Sequence, residues 1–308
     1  ENSEGGKIEE RALTEKEMWQ MLPQTTGEAR ADVLLALCKE ACNRSGEEAL
    51  ALSQTALEIY ESLGDAISGA DLANANLAVA TALKKLNRTQ EAGIELAKAV
   101  AFHRDDHFAF LDDLLRMQAS WYGELGEWQS ALECQIEAIA LNEIDGDEEF
   151  LALSLKNAAD CYWNLAQYQD AKTEYERAVP IFKNLKLVED VGYCYRKIAE
   201  SNFELGNMFD AIAFGKKAAD IAFFGSASEP HARAHLVLVK AHMALGDLEE
   251  ATPHLVDAQA LANFAQEKNW DLVVEVEQER ANHMKAGGFE ADAISIEARL
   301  STIRETLG

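Results

Sequence analysis

Proline is scarce in this chain, 4 residues in 308, and glycine stops at 18. So little punctuation leaves few of the turns that an all-β fold requires. Basic residues are also short: 28 Lys and Arg stand against 54 Asp and Glu, a formal charge of −26. A surface of that sign repels phosphate backbones and anionic lipid headgroups, so nucleic acid and membrane are not expected as partners. No run approaches the roughly 18 to 20 apolar residues of a membrane-spanning helix. Cysteine is limited to Cys38, Cys42, Cys134, Cys161 and Cys194. An odd, thinly spread set is no disulfide framework and suits a reducing cytoplasm, the compartment expected. Cys38 and Cys42 lie four apart without a second pair at zinc-site spacing, so they are read as small buried apolar residues. No Gly-rich phosphate loop, GxSxG elbow or HExxH helix occurs, and neither enzyme activity nor a cofactor is expected. The start at Glu1 rather than Met, with Gly5 and Gly6 close behind, is what a trimmed chain would show, leaving room for a leader or preceding domain.

What remains is 48% hydrophobic and 27% charged, enough apolar surface for a core. Its order is periodic. An alanine follows a short polar turn at Ala131, Ala171, Ala211, Ala251 and Ala291, 40 residues apart each time. A second alanine follows seven residues later in every copy, at Ala138, Ala178, Ala218, Ala258 and Ala298. Upstream, Ala49 with Ala56 and Ala92 with Ala99 continue the pattern. Small residues at i and i+7 share one helical face and let a neighbouring helix come close.

Each unit reads as two helices and a turn. The turns are Gly126-Glu127-Trp128, Ala166-Gln167-Tyr168, Gly206-Asn207-Met208 and Gly246-Asp247-Leu248. Asp247 three before Glu250, and Ser45 three before Glu48, mark second-helix starts. Pro180 and Pro253 fall inside predicted second helices, where each removes a hydrogen bond and should bend the axis. Residues 1–13 are polar and expected to be a flexible segment. Residues 14–28 are read as a capping helix and turn, opened by a Thr14/Glu17 capping box and carrying Met18, Trp19, Met21 and Leu22. Residues 29–308 form the repeat domain.

These residues resemble the tetratricopeptide repeat family: a small residue in the first helix, a turn glycine, an aromatic two later, then two alanines seven apart. The best copy runs Ala119, Tyr122, Gly126, Trp128, Ala131 and Ala138; the next runs Ala159, Tyr162, Ala166, Tyr168, Ala171 and Ala178. The resemblance covers roughly residues 29 to 305, about seven units. It departs in the 40-residue period, longer than the family's usual length of about 34, and in the missing closing prolines. Thr89 and Gly288 stand at the turn-aromatic place. The resemblance implies an all-α, right-handed α-solenoid of helix-turn-helix repeats, with first helices lining a concave groove. Long-period repeats of this kind look like those of bacterial peptide-pheromone receptors, signalling ATPases and kinesin light chains.

Along such a groove, residues 40 apart form rungs. One lane is Arg116, Lys156 and Arg196, beside Asn157 and Lys197, with Arg233, Lys240 and Arg280 further along. A neighbouring lane is Trp163, Phe203, Met243 and His283. Cations gathered on one wall of an acidic protein point to an acidic or carboxylate-bearing peptide. Family members that hold a terminal carboxylate use a basic residue, an asparagine and a second basic residue in three adjacent units, which Arg116, Asn157 and Lys197 match. Ser120 and Tyr193 replace the family's asparagine and lysine. Against this, Lys156 precedes Asp160 by four and Arg196 precedes Glu200 by four, and such exposed pairs, worth only about 0.2–0.5 kcal/mol, keep a charged face without any ligand. The expected function is protein–protein interaction, with an extended or helical, acidic peptide bound in the groove. A ligand-responsive sensor of a bacterial signalling protein and a self-associating scaffold, which would be a homo-oligomer, are the alternatives.

No metal site is expected. His231, His235 and His242 share a helical face, but seven residues span about 10.5 Å, too far for His235 and His242 to ligate one ion. Both fall at packing positions. His103 and His107, beside Asp105 and Asp106, lie at an inter-unit loop.

Overall fold

The computed structural model describes residues 13–106, 111–223, 228–264 and 269–307. Among them are fifteen α-helices and no strand. Helix follows helix in packed sequence, the architecture of a helical solenoid. No described helix is long and apolar enough to cross a membrane. The chain divides into two compact units between Cys134 and Gln135.

The first unit holds α1 (Glu15–Met21), α2 (Gly27–Ala41), α3 (Gly46–Leu63), α4 (Gly69–Lys85), α5 (Thr89–Asp106), α6 (Leu111–Glu124) and the beginning of α7 (Trp128–Asp145). The capping box forms as expected: Thr14 N–H donates to Glu17 at 2.7 Å, and Glu17 N–H donates to Thr14 Oγ1 at 3.4 Å. α1 buries Met18 and packs on α2, while Glu15 pairs with Arg44 at 2.6 Å. Ser45 caps α3 through the Glu48 N–H. Tyr60 donates to Asp32 at 2.5 Å and ties α3 to α2.

The second unit takes the rest of α7 and continues with α8 (Glu148–Asn164), α9 (Tyr168–Asn184), α10 (Val188–Glu204), α11 (Met208–Phe223), α12 (Ser228–Ala244), α13 (Leu248–Phe264), α14 (Trp270–Ala286) and α15 (Glu290–Leu307). The 40-residue period has a simple composition. Two 17-residue helices, α8 and α9, and two three-residue connections, 165–167 and 185–187, fill it. Both connections close the same way. Gln167 N–H donates to the Tyr162 carbonyl and Leu187 N–H to that of Phe182, each at 2.9 Å. Ala166 and Lys186 take left-handed φ of 57° and 61°. These are Schellman caps, which satisfy carbonyls that a helix end leaves open. α9 and α13 run unbroken across Pro180 and Pro253.

The alanine pairs lie where the period places them. From Ala49 and Ala56 through Ala251 and Ala258, every pair is buried, none more than 2% exposed. The last copy departs from expectation. Ala291 and Ala298 are exposed, whereas Ala293 and Leu300 are buried with Ile296. Gly288, at φ 84°, is the left-handed glycine equivalent to Gly206 and Gly246, so it is not the turn-aromatic position. α14 begins 42 residues after α12 rather than 40, and two residues turn a helix by about 200°, which presents the opposite face. The same offset takes Arg280 and His283 out of their lanes and puts Lys285 level with Met243.

Candidate functional site

First helices of neighbouring repeats touch directly: α2 meets α4, α10 meets α12 and α12 meets α14, while Lys156–Asp190 and Asp160–Tyr193 join α8 to α10. In the second unit α8, α10, α12 and α14 therefore make one continuous face. Arg116 lies on α6, in the first unit, where it pairs with Asp113 and lies 3.8 Å from Asp112.

Each lane cation on this face has a carboxylate. Lys156 Nζ lies 2.6 Å from Asp190, not on Asp160 as spacing suggested. Asp160 is already taken, accepting from Tyr175 at 2.5 Å and Tyr193 at 2.6 Å. Burial, then the Asp160 charge, pushes both phenols well above their ordinary range. Arg196 does pair with Glu200, as expected, and Lys197 joins the same carboxylate at 3.0 Å. Burial opposes ionisation of Glu200, but Arg196 and Lys197 outweigh it, and the carboxyl sits below its usual value. Glu275, reaching over from α14, holds Arg233 at 3.2 Å and Lys240 at 2.9 Å. Burial alone would lower the Lys240 ammonium; Glu275 more than compensates. Arg233 also meets Glu229, and Arg280 meets Glu277 at 3.4 Å. The positive lane is thus largely neutralised, by Glu200, Glu229 and Glu277 on the cations' own helices and by Asp190 and Glu275 from neighbouring ones.

Aromatic rings back the cations. Lys197 sits 4.4 Å over the Trp163 ring, Arg196 lies 5.0 Å over Tyr193, and Lys156 is 5.7 Å from both Phe182 and Tyr193. Trp163 in turn meets Tyr168 edge-on at 5.0 Å. Such contacts fix long side chains in place at modest gain, about 0.5–1 kcal/mol where exposed.

Two cavities open here and share Arg196 and Arg233. The smaller, about 200 Å³, lies between Trp163, Phe203, Lys197 and Lys240. The larger, about 920 Å³, has an apolar floor of Val188, Ala218, Ile221 and Ala222 and a rim carrying Lys156 and Asp190. Gly192 keeps that floor open, because a Cβ there would come within 3.0 Å of Ile221 Cγ2. Asn157 is half-buried on α8 and lines neither cavity. Tyr193, at the place of the family's lysine, completes the arrangement with Asp190, Glu229 and Glu275, and these three carboxylates were not singled out by spacing.

The histidines divide. His235 and His242 are buried, as the packing reading expects. His235 is nevertheless bonded on both sides: its Nε2 lies 3.1 Å from His231 Nε2, and its Nδ1 lies 3.1 Å from His254 Nδ1. His254 lies on α13, across the hairpin from His235, where spacing along a single helix does not reveal it. Burial first, then His231, holds His235 near pKa 4, with Asp257 opposing. The His103 side chain and His107 lie outside the described residues. Four of the cysteines are buried and Cys42 is half-buried; all five are free thiols. Burial pushes Cys194 up to about 12.

Fold and face define a helical-repeat protein. Residues 112–184 match the tetratricopeptide repeat family. No curated protein matches the sequence. Among solved structures, a signal transduction ATPase with a tetratricopeptide repeat sensor from Pyrococcus horikoshii is similar at TM-score 0.68 and 15% identity, over 93% of this chain and 43% of that one. The apo form of RapI is similar at TM-score 0.64 and 15% identity, over 90% and 98%. The apo form of the quorum sensor NprR from B. thuringiensis gives 0.59 and 17%, over 94% and 81%.

Proposed function

We propose that the chain is a protein-interaction module that receives an extended peptide on the face of α8, α10, α12 and α14. The observation that carries this reading is the cavity of about 920 Å³ with an apolar floor and a rim holding Lys156, Arg196 and Arg233. A peptide side chain fits the floor, and the guanidinium donors suit a carboxylate. Because Asp190, Glu200 and Glu275 already satisfy the cations, a uniformly acidic peptide would meet repulsion. An apolar segment with one or two acidic anchors, each exchanging with a resident carboxylate, suits the rim better. Two structural relatives, a signal transduction ATPase with a repeat sensor and a quorum sensor, suggest a second reading, in which peptide binding alters the conformation of this chain.

Selection from a random peptide library, followed by fluorescence anisotropy, tests the module. Binders should weaken with salt, since exposed charges are screened over roughly 8–10 Å. Filling the floor with Ala222→Phe should abolish binding, while Lys98→Gln and Arg177→Gln, away from the cavities, should leave it intact. Peptides that bind the filled variant as well as the wild type would place recognition elsewhere. A change in small-angle scattering on adding a selected peptide separates the sensor from a rigid module.

A further inference from the structure

We propose that His235, His254 and Asp257 form a binding site for a divalent transition-metal ion of the zinc class, with His231 as a positioning residue. The site belongs to α12 and α13, and none of its three ligands lines either cavity of the peptide face. Imidazole nitrogen and carboxylate are the donors that zinc and its neighbours prefer. The donor atoms of the three residues lie within 4.8 Å of one another. His235 Nδ1 and His254 Nδ1 are 3.1 Å apart. Metal–nitrogen bonds of about 2.0–2.1 Å in tetrahedral array need a separation near 3.3 Å, so the rings are almost in place. His254 and Asp257 stand three apart on α13 and share its face. Asp257 Oδ2 is 3.9 Å from His235 Nδ1, and its exposed side chain is free to close that gap.

The surroundings complete the arrangement. Ligation through both Nδ1 atoms places each ring proton on Nε2, and that of His235 then donates to His231 Nε2 at 3.1 Å. A metal-bound histidine ordinarily donates its second N–H in this way, which fixes the ring and strengthens the ligand. The His254 ring is stacked on His242 with centroids 5.8 Å apart. A cavity of about 440 Å³, lined by His231, His235, Asp257, Asp220 and Leu261, gives the ion an entry path and leaves a position for water.

Untagged, chelator-treated full-length protein titrated with Zn²⁺ by calorimetry, and with Co²⁺ by visible absorption, tests the site. One equivalent should bind, with the intense Co²⁺ bands of four-coordination, and the melting temperature should rise. His254→Gln and Asp257→Asn, at positions that are not buried, should leave the circular dichroism unchanged and weaken binding by about tenfold or more. His231→Gln should weaken it less and keep the Co²⁺ band shape. Absence of saturable binding, or equal binding by the wild type and both ligand variants, overturns the proposal.

Discussion

Ala166 occupies a place that glycine fills at Gly126, Gly206 and Gly246, and it does so at φ 57°. An L-residue in that region is disfavoured by about 1–2 kcal/mol, because Cβ crowds the following carbonyl. Glycine removes the crowding but gives the unfolded chain about 0.5–1 kcal/mol more freedom to lose. Relief exceeds that cost by a fraction of a kcal/mol. Ala166→Gly should therefore raise the chemical-denaturation midpoint by about 0.5 kcal/mol equivalent, with an unchanged slope; a lower midpoint would show that the Ala166 methyl group makes a stabilising contact.

At the scale of the helix, α10 depends on a compact ionic group, with Arg196 and Lys197 converging on Glu200. Because the folded carboxyl lies below its ordinary value, its contribution is present above pH 4.5 and disappears as pH falls through the folded pKa. Arg196→Leu leaves Glu200 with one cation in a partly dry site. The expected cost is about 1–3 kcal/mol at neutral pH. Acid destabilisation should also begin at higher pH than in the wild type, which melting scans between pH 3 and 7 would reveal (roughly the carboxyl range); superimposable pH profiles would mean that Glu200 does not depend on Arg196. This group was legible in sequence because its members lie within one turn. The rest of the face was legible only in part. Lys156 and Lys240 stand out by spacing, but their partners Asp190 and Glu275 sit 34 and 35 residues away. A lane of charge seen along one helix set says nothing of the opposite charge arriving from the next. The same blindness hid His254, which meets His235 across a hairpin.

For the whole molecule, the period made the fold readable, since alanine at two fixed places per unit is the footprint of close helix crossings. It misled only where the count changed, at α14 and α15. Stacked repeats share stability chiefly with neighbours. Ala178→Leu, at a fully buried site in α9, should overpack the crossing by about 1–3 kcal/mol. Hydrogen exchange should quicken in α8, α9 and α10 while α2 to α5 keep wild-type protection. Uniform loss of protection throughout would show that the chain unfolds as a single cooperative body instead.

The identical caps after α8 and α10 make Gln167 and Asn207 interchangeable as places to rejoin the chain. Splicing Gln167 to Met208 deletes α9 and α10 and still delivers a first helix into a second one, through the same left-handed bend. Loss or gain of forty residues is thus nearly silent to the backbone, whereas an offset of two reverses a face, as α15 records. A gene encoding such a chain can change its number of units by simple recombination, and length is the property it is most free to vary.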